Sequence, residues 1–195
     1  HCMEIKNEDL RIRKTKRNIR DALYQMVIEK KYNDISVTEL TKRAEIGRKT
    51  FYLHYDSIES VFNEIRDEFV YELRNLIDNK AYKNNRLDVI ELFNCLNRAI
   101  ENHLDFYKRI VSANSYAFFL NDFVDSFKSI IKDQSKKSYI KHPLEDMYIE
   151  FFSSGVLSAY IKWLKGEVPI TLEILAEFVE EAVNNGIKDL RSANE

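Results

Sequence analysis

Apolar side chains recur along the chain at three- and four-residue spacing, the mark of helices that bury one face. Ile19, Leu23, Met26 and Val27 form one stripe, and Ile58, Val61, Phe62, Ile65, Phe69, Leu73 and Leu76 form a longer one. Further helices are predicted over residues 87–100, 106–111, 116–131, 144–164 and 172–187. Pro143 suits a first helical turn, where a missing N–H is harmless; Gly166 suits a helix end, and Pro169 with Thr171 marks the next entry. The polar stretches 79–86 and 133–142 are expected to be loops. No alternating run is long enough to specify a strand. With four glycines and two prolines there are few breakers, so long helices on short turns are favoured. The expected fold is all-α, with about nine helices.

Residues 36–55, SVTELTKRAEIGRKTFYLHY, carry the most information. Ser36 and Glu39 fit a capping box, in which Ser36 caps the helix and Glu39 returns to its N–H. Val37, Leu40 and Ala44 supply an inward face, and Glu45, Ile46 and Gly47 a turn. Gly47 is expected to supply any positive φ there, with Ile46 buried between the two helices. A second short helix runs from Arg48 to about His54, with Phe51 facing the core. Two short helices across a glycine-containing turn, led by a third, describe a helix-turn-helix unit. The outer face of the second helix offers Arg48, Lys49, Thr50, Tyr52 and His54. Arg48 and Lys49 can donate to guanine or phosphate, and Thr50 can meet a base edge or a thymine methyl. Tyr52 and His54 can bond phosphates, and Thr38 can do so near the positive end of the preceding helix. Each residue alone also suits a solvated hairpin; the ordered set points to double-stranded DNA.

Charge sharpens this picture. The formal net charge of -2 speaks against a general nucleic-acid binder. Residues 1–60, however, carry 13 Lys+Arg against 10 Asp+Glu, so the acidic excess lies beyond them. Arg11, Arg13, Lys14, Lys16, Arg17 and Arg20 form a basic cluster that contains no acid. Such a cluster suits either phosphate neutralisation or a solvated helix face. The longest apolar run, residues 116–120, is far too short to cross a bilayer, and the polar N-terminal stretch lacks the apolar core of a signal peptide. His1 and Cys2, ahead of Met3, read as a cloning remnant. Cys2 and Cys95 make no disulfide framework, which suggests a cytoplasmic setting.

Residues 37–62, VTELTKRAEIGRKTFYLHYDSIESVF, resemble the TetR/AcrR family of bacterial transcriptional regulators. The core at Thr50, Tyr52, His54 and Tyr55 is the most specific part of the likeness. The resemblance implies a three-helix DNA-binding domain, a connecting fourth helix, and a larger helical domain for ligand binding and dimerisation. These are placed at residues 1–56 and 57–195. Family members often carry Lys in an S-K-E stretch that here reads Ser57-Ile58-Glu59, which leaves its phosphate contact to the basic arm or Lys49. ENHLDFYKRIVSAN, from Glu101, and FFSSGVLSAYIKWLKGEVP, from Phe151, are similar to a narrower set that resembles the dihydroxyacetone-kinase regulator. Some of that set act as activators with a protein partner.

In the C-terminal half, Tyr148, Phe152, Gly155, Ala159 and Trp163 follow one helix face, and small Ser154 and Ser158 allow close approach. Leu172, Leu175, Ala176, Val179, Val183 and Ile187 follow another. The resemblance makes these two helices a homodimer interface; otherwise they fill the subunit's own core. Phe69, Phe93, Tyr107, Tyr116, Phe119, Tyr148 and Phe152 are candidates to line a small-molecule effector pocket, with core packing as the alternative. No enzyme is indicated. His54, His103 and His142 lack metal-ligand spacing, Cys95 lies in an apolar run, and Ser153-Ser154-Gly155 makes no nucleophile elbow. No cofactor or metal is expected. The expected function is a ligand-responsive repressor that binds a palindromic operator as a homodimer. The alternative is a helical interaction module, or an activator that needs a protein partner, without autonomous DNA binding.

Overall fold

The computed structural model describes residues 2–83, 86–135 and 145–192. Among them are nine α-helices: α1 Cys2–Glu29, α2 Val37–Arg43, α3 Arg48–Tyr52, α4 Ile58–Leu76, α5 Val89–Ile100, α6 Leu104–Ser112, α7 Ala117–Ser135, α8 Glu145–Leu164 and α9 Leu172–Ser192. The fold is all-α. The stretch expected to be a loop at 79–86 holds more order than its composition suggested. A π-helical turn, Ile77–Ala81, follows α4, and Tyr82 and Lys83 pair antiparallel with Leu87 and Arg86. A two-residue pairing is too short to leave a period-2 pattern. Within the second expected loop, α7 extends to Ser135. Pro143 and His142 lie outside the described residues.

The chain divides into two compact units. One comprises His1–Glu68 and His103–Phe119, the other Phe69–Asn102 and Leu120–Glu195. Helices α4 and α7 contribute residues to both.

The first unit is built on the predicted stripe of α1, whose Ile19, Leu23, Met26 and Val27 are fully buried. Phe62 of α4 sits among Phe106, Tyr116 and Phe119, all buried. Tyr24 stacks on His103 at 3.7 Å and meets the edge of Phe106 at 4.8 Å. The Tyr116 hydroxyl donates to the Lys30 carbonyl at 2.7 Å, which satisfies an oxygen just past the end of α1. Burial raises the Tyr116 hydroxyl pKa to about 12. In the second unit, α5 buries Leu92, Phe93, Cys95 and Leu96, while α8 buries Val156, Leu157, Tyr160 and Leu164. The Tyr160 hydroxyl reaches Asn97 at 2.6 Å. Gly166 takes φ 74° just beyond α8, the left-handed stop its sequence position suggested.

The turn after α2 departs from expectation. Its one positive-φ residue is Glu45, at φ 55°, whereas Gly47 sits at φ −77° as the N-cap of α3. The N–H of Ile46 reaches the Thr41 carbonyl at 3.0 Å and that of Glu45 reaches Lys42 at 3.2 Å. This pair of bonds defines a Schellman closure, which puts its left-handed residue at Glu45 and leaves Gly47 to enter the next helix. Ile46 is half-buried rather than enclosed. A side chain in left-handed geometry costs about 1–2 kcal/mol that glycine avoids. Glu45→Gly is therefore expected to raise the melting temperature by a few degrees in a thermal scan, and a lowered value would contradict this assignment.

Candidate nucleic-acid interface

The pair of short helices, α2 and α3, is fastened at its base. Ser36 Oγ accepts the Glu39 N–H at 3.2 Å, the first half of the expected capping box. The second half is replaced: the Glu39 carboxylate binds Lys30 Nζ at 2.6 Å and Arg43 at 2.9 Å. Arg43 also reaches Glu29 at 2.7 Å, so the start and end of α2 are both tied to the end of α1. The contact with Lys30 holds Glu39 below the ordinary carboxylate range, and Arg43 does the same for Glu29. Leu40, Thr41 and Ala44 are buried beneath, and Thr41 Oγ1 bonds the Thr38 carbonyl at 3.1 Å.

Helix α3 is oriented by Phe51, which is fully buried and packs against Tyr55. That anchoring leaves Arg48 and Lys49 exposed, without a carboxylate partner among the described residues, and Tyr52 half exposed with its edge on Phe51. Thr50 and His54 are partly covered, and Thr38 is exposed in the first turn of α2. One residue that sequence spacing gives no role stands beside them. Leu53 is 80% exposed, between Tyr52 and His54. The helix phase fixed by Phe51 turns this apolar side chain outward.

The basic cluster divides in two. Arg11, Arg13, Lys14 and Arg17 are exposed on α1. Lys16 and Arg20 turn inward, each 2.6 Å from a different oxygen of Glu64 on α4. The Tyr55 hydroxyl donates to Glu64 at 2.8 Å, and Arg20 also reaches Glu68 at 2.9 Å. Burial alone would raise the Glu64 pKa, but bonds from Lys16, Tyr55 and Arg20 hold it below the usual range. Glu68 moves the other way, because partial burial, helped by the neighbouring Glu64 charge, outweighs the pull of Arg20 and Lys16. Ile58, where the resemblance expects Lys, is half-buried at the start of α4, and Ser57 caps that helix through the Ser60 N–H.

The effector candidates fall on both units. Tyr107, Tyr116 and Phe119 belong to the first unit's core, while Phe69, Phe93, Tyr148 and Phe152 belong to the second. There Phe69 meets Phe123 at 3.9 Å and Phe93 meets Tyr160 at 5.4 Å. On α8, Tyr148, Phe152, Ala159 and Trp163 are partly covered and Gly155 is exposed. On α9, Leu175 and Val179 are buried in the unit, and Leu172 and Val183 are partly covered. A separate pair of apolar stripes faces solvent: Met147 and Phe151 on α8, and Ile174 and Phe178 on α9. Phe151 is 73% exposed and Phe178 67%. Spacing misses these residues because it selects the Phe152 stripe of α8, whereas Phe151 lies with the polar, exposed Glu150 and Ser158. Cys95 is buried, and burial raises its thiol pKa, away from the reactive thiolate. Among the described residues no cluster of three or more His, Cys, Asp or Glu could hold a metal. None of their helices is long and apolar enough to cross a membrane.

A buried Phe51 that presents basic and aromatic residues on α3, set on a three-helix base ahead of a second helical unit, is the arrangement of a helix-turn-helix regulator. Residues 88–185 match the TetR family described as "Transcriptional regulator C-terminal region", and the chain belongs to the TetR family of transcriptional regulators. Among individual relatives, it is 29% identical over 148 residues to the HTH-type dhaKLM operon transcriptional activator DhaS of Lactococcus lactis subsp. lactis (strain IL1403), covering 74% of this chain and 76% of that protein. Its fold matches a TetR transcriptional regulator from Streptococcus agalactiae 2603V, with TM-score 0.68 at 23% identity over 92% of this chain and 98% of that one. It also matches NalD, the secondary repressor of the MexAB-OprM multidrug efflux pump in Pseudomonas aeruginosa, with TM-score 0.64 at 16% identity over 89% of this chain and 97% of that one.

Proposed function

We propose that the chain is a ligand-responsive repressor that binds a palindromic operator as a homodimer, reading DNA with α3 and the start of α2. The observation that carries this reading is the orientation of α3. Phe51 is anchored in the core, so Arg48, Lys49 and Tyr52 are presented to solvent, with no carboxylate partner for the two charges among the described residues. In this reading Lys49 and Arg48 meet base edges or phosphates, Thr50 a base edge, and Thr38, Tyr52 and His54 phosphates. Residues 1–56 form the reading head, and 57–195 carry effector binding and dimerisation. The exposed stripes on α8 and α9 pair with those of a second copy, as monomeric proteins seldom leave such apolar area open. Two heads must stand roughly 34 Å apart, or a multiple of that, to enter successive major grooves. An effector that prefers one spacing over another shifts the population toward or away from the binding form, with α4 as the element that links head to body.

The test substitutes single residues of α3. Lys49→Ala and Tyr52→Ala are each expected to weaken binding to a selected duplex about tenfold while the circular-dichroism spectrum and oligomeric state stay unchanged. Unchanged DNA affinity in both variants would overturn the assignment. A second reading, an activator that depends on a protein partner, is favoured by the likeness to the activator DhaS. DNA binding by the purified chain alone would count against its need for a partner.

A further inference from the structure

The Glu64 carboxylate is held by three side chains of the first unit. It receives Lys16 and Arg20 of α1 at 2.6 Å each and the Tyr55 hydroxyl at 2.8 Å. Lys16 Nζ also lies over the Tyr55 ring at 5.3 Å. Tyr55 follows α3 by three residues, and its own N–H closes onto the Phe51 carbonyl at 3.0 Å. One side chain of α4 therefore grips both the lead helix and the end of the reading helix. It also occupies two of the cations that the linear sequence offers to phosphate.

We propose that Glu64 is a positioning residue for DNA reading: it fixes the attitude of α3 through Tyr55 and withholds Lys16 and Arg20 from the DNA backbone. The inference rests on the DNA-binding reading above and adds a division of labour to it. Arg48 and Lys49 on α3, with Arg11, Lys14 and Arg17 on α1, supply the exposed charge. Lys16 and Arg20 supply rigidity. Glu68 takes the remaining reach of Arg20 at 2.9 Å and completes the set of charges around Glu64. Sequence specificity then depends on keeping two cations out of non-specific contact, because every freed cation strengthens binding to any duplex alike.

Glu64→Gln separates these effects, since it keeps the side chain's shape while removing its charge. The ratio of affinity for a selected duplex to that for random duplex is expected to fall about tenfold. On random duplex, binding should strengthen, and the slope of log affinity against log salt should steepen by up to about 2, at about 0.9 per added phosphate contact. Tyr55→Phe loosens α3 but leaves both cations neutralised, so the ratio falls without a steeper slope. An unchanged ratio and slope in Glu64→Gln would overturn the proposal. A parallel fall on both duplexes would also overturn it, because that marks a damaged fold. Amide exchange without DNA provides an independent reading. The N–H groups of Leu53, His54 and Tyr55 should exchange faster in Glu64→Gln, and unchanged rates would overturn the role of Glu64 by themselves. A wild-type chain that binds no duplex overturns the DNA-binding reading instead, and the exchange experiment tells the two failures apart.

Discussion

Phe62→Ala is expected to destabilise the protein by about 3–5 kcal/mol. The ring is fully buried. Its centroid lies 5.2 Å from Phe119, 5.7 Å from Tyr32, 5.9 Å from Phe118 and 6.0 Å from Tyr116. Truncation loses the transfer free energy of the ring and leaves a hole that its aromatic neighbours, constrained by one another, fill poorly. Chemical denaturation should show a lower midpoint at unchanged slope. Phe118→Ala is the control: that ring touches the same cluster but is partly exposed, so its loss should be clearly smaller. Equal losses for the two would show that burial does not set the contribution of this cluster.

The second large effect concerns assembly. Phe151→Glu combined with Phe178→Glu is expected to give a folded monomer whose affinity for a two-site duplex falls at least a hundredfold. Both side chains are mostly exposed in a single copy, so glutamate there costs the subunit little. Burying those charges against a second copy is costly, because no cation has been added to pair with them. In the proposed homodimer, loss of pairing would also remove the linkage of two reading heads, which would otherwise make the second binding event intramolecular at about millimolar effective concentration. Light scattering reports the mass, and a titration reports the affinity. A variant that stays dimeric would place the interface elsewhere.

The helices were legible because their apolar stripes are regular. The stripes at Ile19 to Val27 and Ile58 to Leu76 predict buried faces, and all of the stripe residues but the partly covered Ile58 and Leu76 lie in the core. Motif residues 36–55 likewise announced the two short helices. Other features depend on tertiary contacts that a linear pattern does not encode. The basic cluster offers six cations, yet Lys16 and Arg20 are claimed by an acid on another helix. Gly47 was the obvious residue for a left-handed turn, but the length of α2 places that position at Glu45. The seven candidate effector aromatics share a composition but divide between two units, because packing partners and not residue type decide where each ring goes. On α8 the spacing selected the stripe of Phe152, which is partly covered, and gave no role to Phe151, which the structure turns outward.

Selection of random duplexes by the purified chain tests the central claim most directly. A two-fold reader built on α3 should recover an inverted repeat, with half-site centres about one helical turn or a multiple apart. Its binding should weaken steeply with salt, and Lys49→Ala should lower that salt slope by about 1. Recovery of no enriched sequence, or of one that Lys49→Ala and Tyr52→Ala bind as tightly as the unaltered chain, would contradict it.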